Sequence, residues 1–219
     1  ASSGIGKAIA YAFGKNGDDL ILCARRIGKL EEIKADIERR FGVNVYIFEL
    51  DVTKYEKVSK TVKNILRKVS KIDILINNAG LALGLDKFQE YSITDMEIMI
   101  DTNVKGLLYV SREIIPNMVE NNAGHIINMG STAGIYAYAG AAVYCATKAA
   151  VKFLSDGIRI DTIDKNIKVS TLQPGIVETD FSEVRFHGDK ERAKDVYSGI
   201  EALKPEDIAN VALYVANQP

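Results

Sequence analysis

His125-Ile-Ile-Asn-Met-Gly-Ser-Thr-Ala-Gly-Ile-Tyr-Ala-Tyr-Ala-Gly-Ala-Ala-Val-Tyr-Cys-Ala-Thr-Lys148 joins a short apolar run to an alanine-rich one. The apolar run, His125 to Met129, reads as a buried strand. The alanine-rich run has good helix propensity, and a helix is expected from Ala141 to Ile163. Tyr144 and Lys148 stand four residues apart in it, about one helical turn, so both side chains leave the same face. A lysine ammonium beside a phenol favours the phenolate by charge attraction. Bringing an ordinary tyrosine, with a pKa of about 10, down to neutrality takes roughly 4 kcal/mol of differential interaction. Ser131 follows the strand, at the sheet edge where open α/β sheets bind ligands. Its hydroxyl is suited to holding a carbonyl oxygen while the tyrosine gives that oxygen a proton. The spacing alone also fits a surface lysine one turn after a packed aromatic, so the rest of the chain decides between the two readings.

Working outward, strand and helix alternate in both directions. Asp19 to Ala24 reads as a strand ending at Arg25-Arg26. Ile27 to Arg40 is a helix with Leu30, Ile33 and Ile37 at core spacing, stopped by Gly42. Val43 to Leu50 is a strand ending at Asp51-Val52, and Thr53 is the expected N-cap of a helix running through Val69. Ile72 to Ile76 is a strand that runs into Asn77-Asn78-Ala79-Gly80. After a loop to about Ser92, one helix is expected from near Thr94 to about Asn117, with Asn103 in its interior. Past the opening stretch come a strand at Lys168 to Leu172, then Gln173-Pro174-Gly175, and an irregular segment through His187. Short helices near Glu191 to Tyr197 and Glu206 to Ala216 follow. The chain opens on Ala1-Ser2-Ser3-Gly4-Ile5-Gly6, which leads directly into a helix from Ile5 to Lys15. Gly4 and Gly6 allow close backbone approach to a ligand, and a helix N-terminus favours phosphate. Such a turn normally follows a strand, and none precedes it in this sequence.

This alternation predicts an α/β fold. We expect a Rossmann-type, doubly wound parallel sheet with right-handed crossovers and helices on both faces, in one domain spanning residues 1–219. Arg25, Asp51, Asn78, Ser131 and Pro174 all fall just past a strand. Each is an ordinary surface residue alone; together they outline one ligand crevice along the sheet's C-terminal edge.

Composition narrows the function. With 47% hydrophobic residues and a formal charge of −1, the chain is globular and has no basic block of the kind that binds nucleic acid. No apolar run is long enough to span a bilayer, and no signal peptide is visible. Two cysteines, Cys23 and Cys145, make no disulfide framework, and two histidines without a ligand pattern argue against a metal site. A cytoplasmic protein is expected.

With these residues in place, the whole chain resembles the short-chain dehydrogenase/reductase family. Ala1 to Gly6 is similar to the tail of that family's Thr-Gly-x-x-x-Gly-x-Gly turn, without its first Thr-Gly and its strand. Asn77 to Gly80 matches its Asn-Asn-Ala-Gly. Asn103, Ser131, Tyr144 and Lys148 have the order and spacing of its catalytic tetrad. Pro174-Gly175, with Val177 and Thr179, matches its nicotinamide-side segment. The resemblance implies a nicotinamide cofactor that carries the hydride. It makes Tyr144 the proton donor in reduction and the acceptor in oxidation. Ser131 stabilises the developing oxyanion, Lys148 lowers the tyrosine's pKa and holds the nicotinamide ribose, and Asn103 holds a water in a proton relay. Ser2, Gly4, Ile5 and Gly6 would cradle the pyrophosphate, Asp51 and Val52 border the adenine, and Asn78, Ala79 and Gly80 lie beside the ribose. Val177 and Thr179 would meet the carboxamide. The family ordinarily adds a last strand and tail after a helix such as Glu206 to Ala216, and it forms homodimers or homotetramers.

Two finer expectations follow. An acidic residue at the end of the strand Asp19 to Ala24 would suit the ribose hydroxyls of NAD, whereas Arg25 and Arg26 suit an added phosphate, so NADP(H) is expected over NAD. The run Val177 to Asp189 is similar to that of the NADP-dependent 3-hydroxy acid dehydrogenases, which include enzymes acting on serine and allo-threonine. Such acids need a cation near Ser131 and Tyr144. Arg185 is the candidate, unless it pairs with Glu183 or Asp189 or simply faces water. The competing readings are a broad carbonyl or sugar-alcohol reductase and a non-catalytic NADP-binding scaffold.

Overall fold

Branched and apolar residues dominate five short runs, and each of these is a strand in the computed structural model, which describes all 219 residues. In chain order the elements are α1 (Gly4–Asn16), β1 (Leu20–Ala24), α2 (Ile27–Phe41), β2 (Val45–Glu49), α3 (Tyr55–Leu66), β3 (Ile74–Asn77), α4 (Ile93–Ile100), α5 (Gly106–Glu120), β4 (Gly124–Met129), α6 (Ala142–Asp161), β5 (Ile167–Leu172), α7 (Phe181–Arg185), α8 (Lys190–Asp195) and α9 (Pro205–Ala216). All strand pairings are parallel. The connections that leave their C-terminal ends therefore gather along one edge.

β4 lies between β3 and β5. The two-residue period of a strand sends Ile126 and Ile127 to opposite faces, and both are fully buried. Ile127 joins Met129, Leu172, Leu20, Leu22 and Val45 in a core covered by residues of α1, α2 and α9. Ile126 joins Val169, Val58, Val62, Ile114 and Met118 in a core covered by α3 and α5. Helices thus lie on both faces, as a doubly wound fold requires. No helix is long and apolar enough to cross a membrane.

Four expectations need correction. The strands form two sheets, β1 with β2 and β3-β4-β5, because no strand of this sequence pairs β1 to β3. Side chains join the two instead: Ile74 and Ile76 of β3 pack on the same core as Leu20 and Leu22 of β1. Thr53 is not the N-cap of α3. Its backbone N–H and its hydroxyl both donate to the Asp51 carboxylate, at 3.0 and 2.8 Å, a local turn that delays the helix to Tyr55; α3 also ends early, at Leu66. The helix expected from Thr94 to Asn117 is interrupted by a π-helical turn at Asp101–Lys105. The wider turn lets Asn103 satisfy the Leu81 backbone on both sides, with N–H and carbonyl bonds of 2.8 Å each. Finally, the segment before His187 contains α7, whose first N–H is held by the Thr179 hydroxyl at 3.2 Å.

His125 is buried in β4, its Nε2 is 2.9 Å from Ser170 Oγ, and its Nδ1 has no partner. Burial, assisted by Lys168, holds its pKa below the ordinary 6.5. The folded state thus binds this proton less well than the unfolded chain, and stability is lost as pH falls from about 6.5 toward the folded value. Chemical denaturation between pH 7.5 and 5 should show this loss in the parent and a flatter profile in His125→Gln. Identical profiles would assign the acid sensitivity to other groups.

Candidate active site

Ser131 lies just past β4, where its hydroxyl accepts from the Ala133 N–H at 3.1 Å and donates to the Pro174 carbonyl at 3.4 Å. The loop then turns back against α6. A methyl group built on Gly134 would stand 2.7 Å from the Lys148 carbonyl oxygen, so only glycine allows this approach. α6 brings Tyr144 and Lys148 to the end of β4, both buried. The Lys148 ammonium donates to the Met129 carbonyl at 2.8 Å and lies 5.9 Å from the centre of the Tyr144 ring. Gly80 lies close by: a methyl there would be 3.3 Å from Asn103 Oδ1 and 3.4 Å from Lys148 Nζ. Asn103, Ser131, Tyr144 and Lys148 are therefore brought to one site.

The electrostatics differ from the sequence expectation in one respect. Burial pushes the Tyr144 phenol above its ordinary value, while the Ser131 hydroxyl and, more weakly, the Arg185 charge work in the opposite direction. Burial also pushes Lys148 down to about 8. The net shift of Tyr144 is thus upward, opposite to the lowering expected beside Lys148, whose ammonium donates to the Met129 carbonyl.

The glycine turn is pressed against two other strand ends. A methyl on Gly6 would meet Asn78 Nδ2 at 2.6 Å, and one on Gly4, where φ is +51°, would meet Thr179 Cγ2 at 3.3 Å. Ser2, Gly4, Ile5 and Gly6 thus share one edge with Asn78 and Thr179, while Ala79 and Gly80 are exposed beside them. Val177 bridges to Leu203. The two arginines separate. Arg26 donates to Ser2 Oγ at 3.1 Å and Ser3 Oγ at 3.0 Å, whereas the charge of Arg25 reaches Asp51. Arg26, two hydroxyls and the start of α1 are donors suited to phosphate. Asp51 is engaged by Thr53, and Val52 packs toward Gly106.

Arg185 pairs with neither Glu183 nor Asp189; Asp189 caps α8 instead. Its guanidinium is buried and donates to the Tyr138 hydroxyl at 2.8 Å, and its Nε has no partner. It stacks 5.2 Å from the centre of the Tyr144 ring, 5.5 Å from Phe181 and 5.8 Å from Tyr138. Its carbonyl accepts from the Gly84 N–H at 2.8 Å.

Four neighbours escaped the sequence reading. Thr147 accepts from Asn103 Nδ2 at 3.0 Å and donates to the Tyr144 carbonyl at 2.7 Å; its place one residue before Lys148 in a buried helix was the available signal. Phe181 meets Tyr144 edge-on at 5.8 Å. Tyr138 comes from a loop with no periodic pattern, and Tyr197, read as the end of a short helix, lies in the turn past the end of α8 at Asp195. The Tyr197 hydroxyl ties Ser182 at 2.9 Å to the Thr179 carbonyl at 3.1 Å.

Buried tyrosine, serine hydroxyl and lysine at the end of a central strand, beside a phosphate-suited turn, form an arrangement for moving a proton on a carbonyl or hydroxyl oxygen. Comparison with known proteins agrees with this. The chain is 44% identical, over 98% of its length and 83% of the relative's, to an NADP-dependent 3-hydroxy acid dehydrogenase of Schizosaccharomyces pombe. It is 44% identical to an enzyme of the same description from Salmonella typhi, over 100% of this chain and 87% of that one. A solved structure of the closed form of serine dehydrogenase complexed with NADP+ superposes with a TM-score of 0.94 at 42% identity, covering 100% of this chain and 87% of the other. Since residues 1–190 also match the family model described as short chain dehydrogenase, the chain belongs to the short-chain dehydrogenase family.

Proposed function

We propose that this protein is an NADP-dependent oxidoreductase, one domain over residues 1–219, that interconverts the hydroxyl and carbonyl of a small 3-hydroxy acid such as serine or allo-threonine. The observation that carries this reading is Arg185: a buried guanidinium against the Tyr144 ring with no carboxylate partner of its own. A carboxylate a few bonds from the reacting carbon would pair with that guanidinium through charge-assisted hydrogen bonds. The names of the similar enzymes support the same substrate class.

Ser2, Gly4, Ile5, Gly6 and Arg26 would hold NADP, with Asn78, Ala79, Gly80, Val177, Thr179, Asp51 and Val52 as its further contacts, and it would supply hydride chemistry when bound. The protein's own groups position the substrate and move its proton. Ser131 holds the substrate oxygen. Tyr144 takes the hydroxyl proton in oxidation and returns it in reduction. Lys148 and Asn103, which face each other across Gly80, connect that proton to the outside by a water relay. In this reading the enzyme is cytoplasmic and assembles as a homodimer or homotetramer. Two free cysteines and exposed Ile100, Leu108, Phe153 and Ile160 support those two statements respectively.

Tyr144→Phe keeps the ring and removes the proton donor. Steady-state turnover should fall by about two to four orders of magnitude while NADPH binding, read by fluorescence, is retained; a rate within about threefold of the parent would exclude the role.

For cofactor choice, Arg26 is the residue on the turn. A charge-assisted contact of about 1.5–3 kcal/mol predicts that Arg26→Ala weakens NADP binding roughly ten- to a hundredfold and NAD binding little, by calorimetric titration. Equal losses for both would mean that Arg26 does not read the added phosphate.

Substrate class is tested at Arg185. Arg185→Ala should raise KM for 3-hydroxy acids steeply and leave an uncharged secondary alcohol nearly unchanged in KM. A parallel rise for both would assign Arg185 to holding α7, and a broad alcohol specificity to the enzyme.

A further inference from the structure

Two cations face Tyr144, and they differ in permanence. The phenol is surrounded by the Ser131 hydroxyl and the Tyr138 phenol from the loop after β4, the Cys145 thiol and Lys148 ammonium from its own helix, and Arg185 from α7. Tyr91 packs in the same cluster, and Asp86 and Asp95 act on Tyr91. Lys148 is 5.9 Å from the ring centre and committed to Met129. Arg185 is nearer, at 5.2 Å. It takes part in none of the protein's ion pairs, and a guanidinium does not give up its proton. Burial disfavours the ion on both Tyr144 and Lys148. Of the two cations, the arginine is the one whose charge does not depend on its surroundings.

We propose that Arg185 acts through Tyr144 as a second, permanent cation that favours its ionised form, and that a substrate carboxylate, by pairing with Arg185, offsets that charge during turnover. The second half rests on the 3-hydroxy acid reading; the first does not. The consequence is that proton affinity at the general base depends on the substrate's charge. An uncharged alcohol leaves Arg185 free to act on Tyr144, while an acid engages it.

The test is the pH dependence of kcat for oxidation by the NADP-loaded enzyme, between about pH 6 and 10.5, with one uncharged secondary alcohol and one 3-hydroxy acid. In oxidation the rising acid limb reports ionisation of the base in the complex. For the parent, the limb should lie at lower pH with the alcohol than with the acid. Arg185→Gln should move the alcohol limb to higher pH by about one unit, whatever the height of its plateau, and Arg185→Lys, which keeps the charge, should leave the limb near the parent position. A merely structural role would lower the plateau without moving the limb.

An alcohol limb unmoved by Arg185→Gln overturns the proposal, whatever the acids do. Coincident acid and alcohol limbs in the parent overturn its second half. If no hydroxy acid is turned over but the alcohol limb still moves, the 3-hydroxy acid reading fails and the coupling stands. Should the variant not turn over at all, ultraviolet difference titration of phenolate, each protein against its Tyr144→Phe counterpart, reads Tyr144 directly. Ionisation at higher pH without Arg185 supports the coupling; an unchanged midpoint refutes it.

Discussion

A buried ammonium is costly unless it is hydrogen-bonded, and Lys148 meets that requirement on the Met129 carbonyl, at 2.8 Å. Much of the site's geometry depends on this one contact. Met129 ends β4, which is held by parallel strands on both sides and buried on both faces, so its carbonyl is a fixed point. Lys148 therefore sets the approach of α6 to the sheet, and Gly134 makes room for it. Tyr144, one turn earlier, is carried to Ser131 by the same constraint. A longer route through side chains alone would leave more rotatable bonds to be restrained.

A second set of contacts locks the strand ends beneath. Asn77 Nδ2 donates to Ser111 Oγ at 3.0 Å and to Asn128 Oδ1 at 2.9 Å, Asn128 Nδ2 donates to Ser155 Oγ at 2.8 Å, and Ser155 returns its proton to the Val151 carbonyl at 2.7 Å. The chain links β3, β4, α5 and α6 through buried, partnered groups. A network of this kind tolerates few alternative registers, because a one-residue slip would leave several polar groups unpaired in the core. Asn77, read in the sequence as part of a motif beside the ribose, thus has a structural task in addition.

The fold was legible wherever periodicity carried it. Leu30, Ile33 and Ile37 fell at helical spacing and are all buried, and the apolar run before Ser131 is the central strand. The site was legible where spacing within one element carried it, as for Tyr144 and Lys148. Legibility failed where tertiary contacts decide. Nothing local to Asn103 announces a π-turn; the partner its side chain meets there is the backbone of Leu81, twenty-two residues away. Arg25 and Arg26 are indistinguishable as neighbours in sequence, and only the packing of the opening turn against β1 assigns one to Ser2 and Ser3. The separation of β1 from β3 was likewise beyond periodicity, which identifies strands but not their partners.

The site also shows how burial can both help and hinder. Excluding water would strengthen the hydrogen bonds that Ser131 and Tyr144, in the proposed roles, offer to charge developing on a substrate oxygen. The same exclusion penalises every ion the chemistry requires, as the opposite shifts of Tyr144 and Lys148 record. An ion pair would relieve Arg185 of that penalty, yet a protein carboxylate beside it would cancel its charge and occupy the place a carboxylate ligand would need. The structure uses aromatic faces instead. Tyr138, Tyr144 and Phe181 attract the guanidinium through their ring quadrupoles and, with both phenols protonated, supply no formal negative charge. The cation is thereby held in the interior with its charge uncancelled, hydrogen-bonded only to the neutral Tyr138 hydroxyl and with its Nε unbonded, a state that an acidic partner would remove and open solvent would screen.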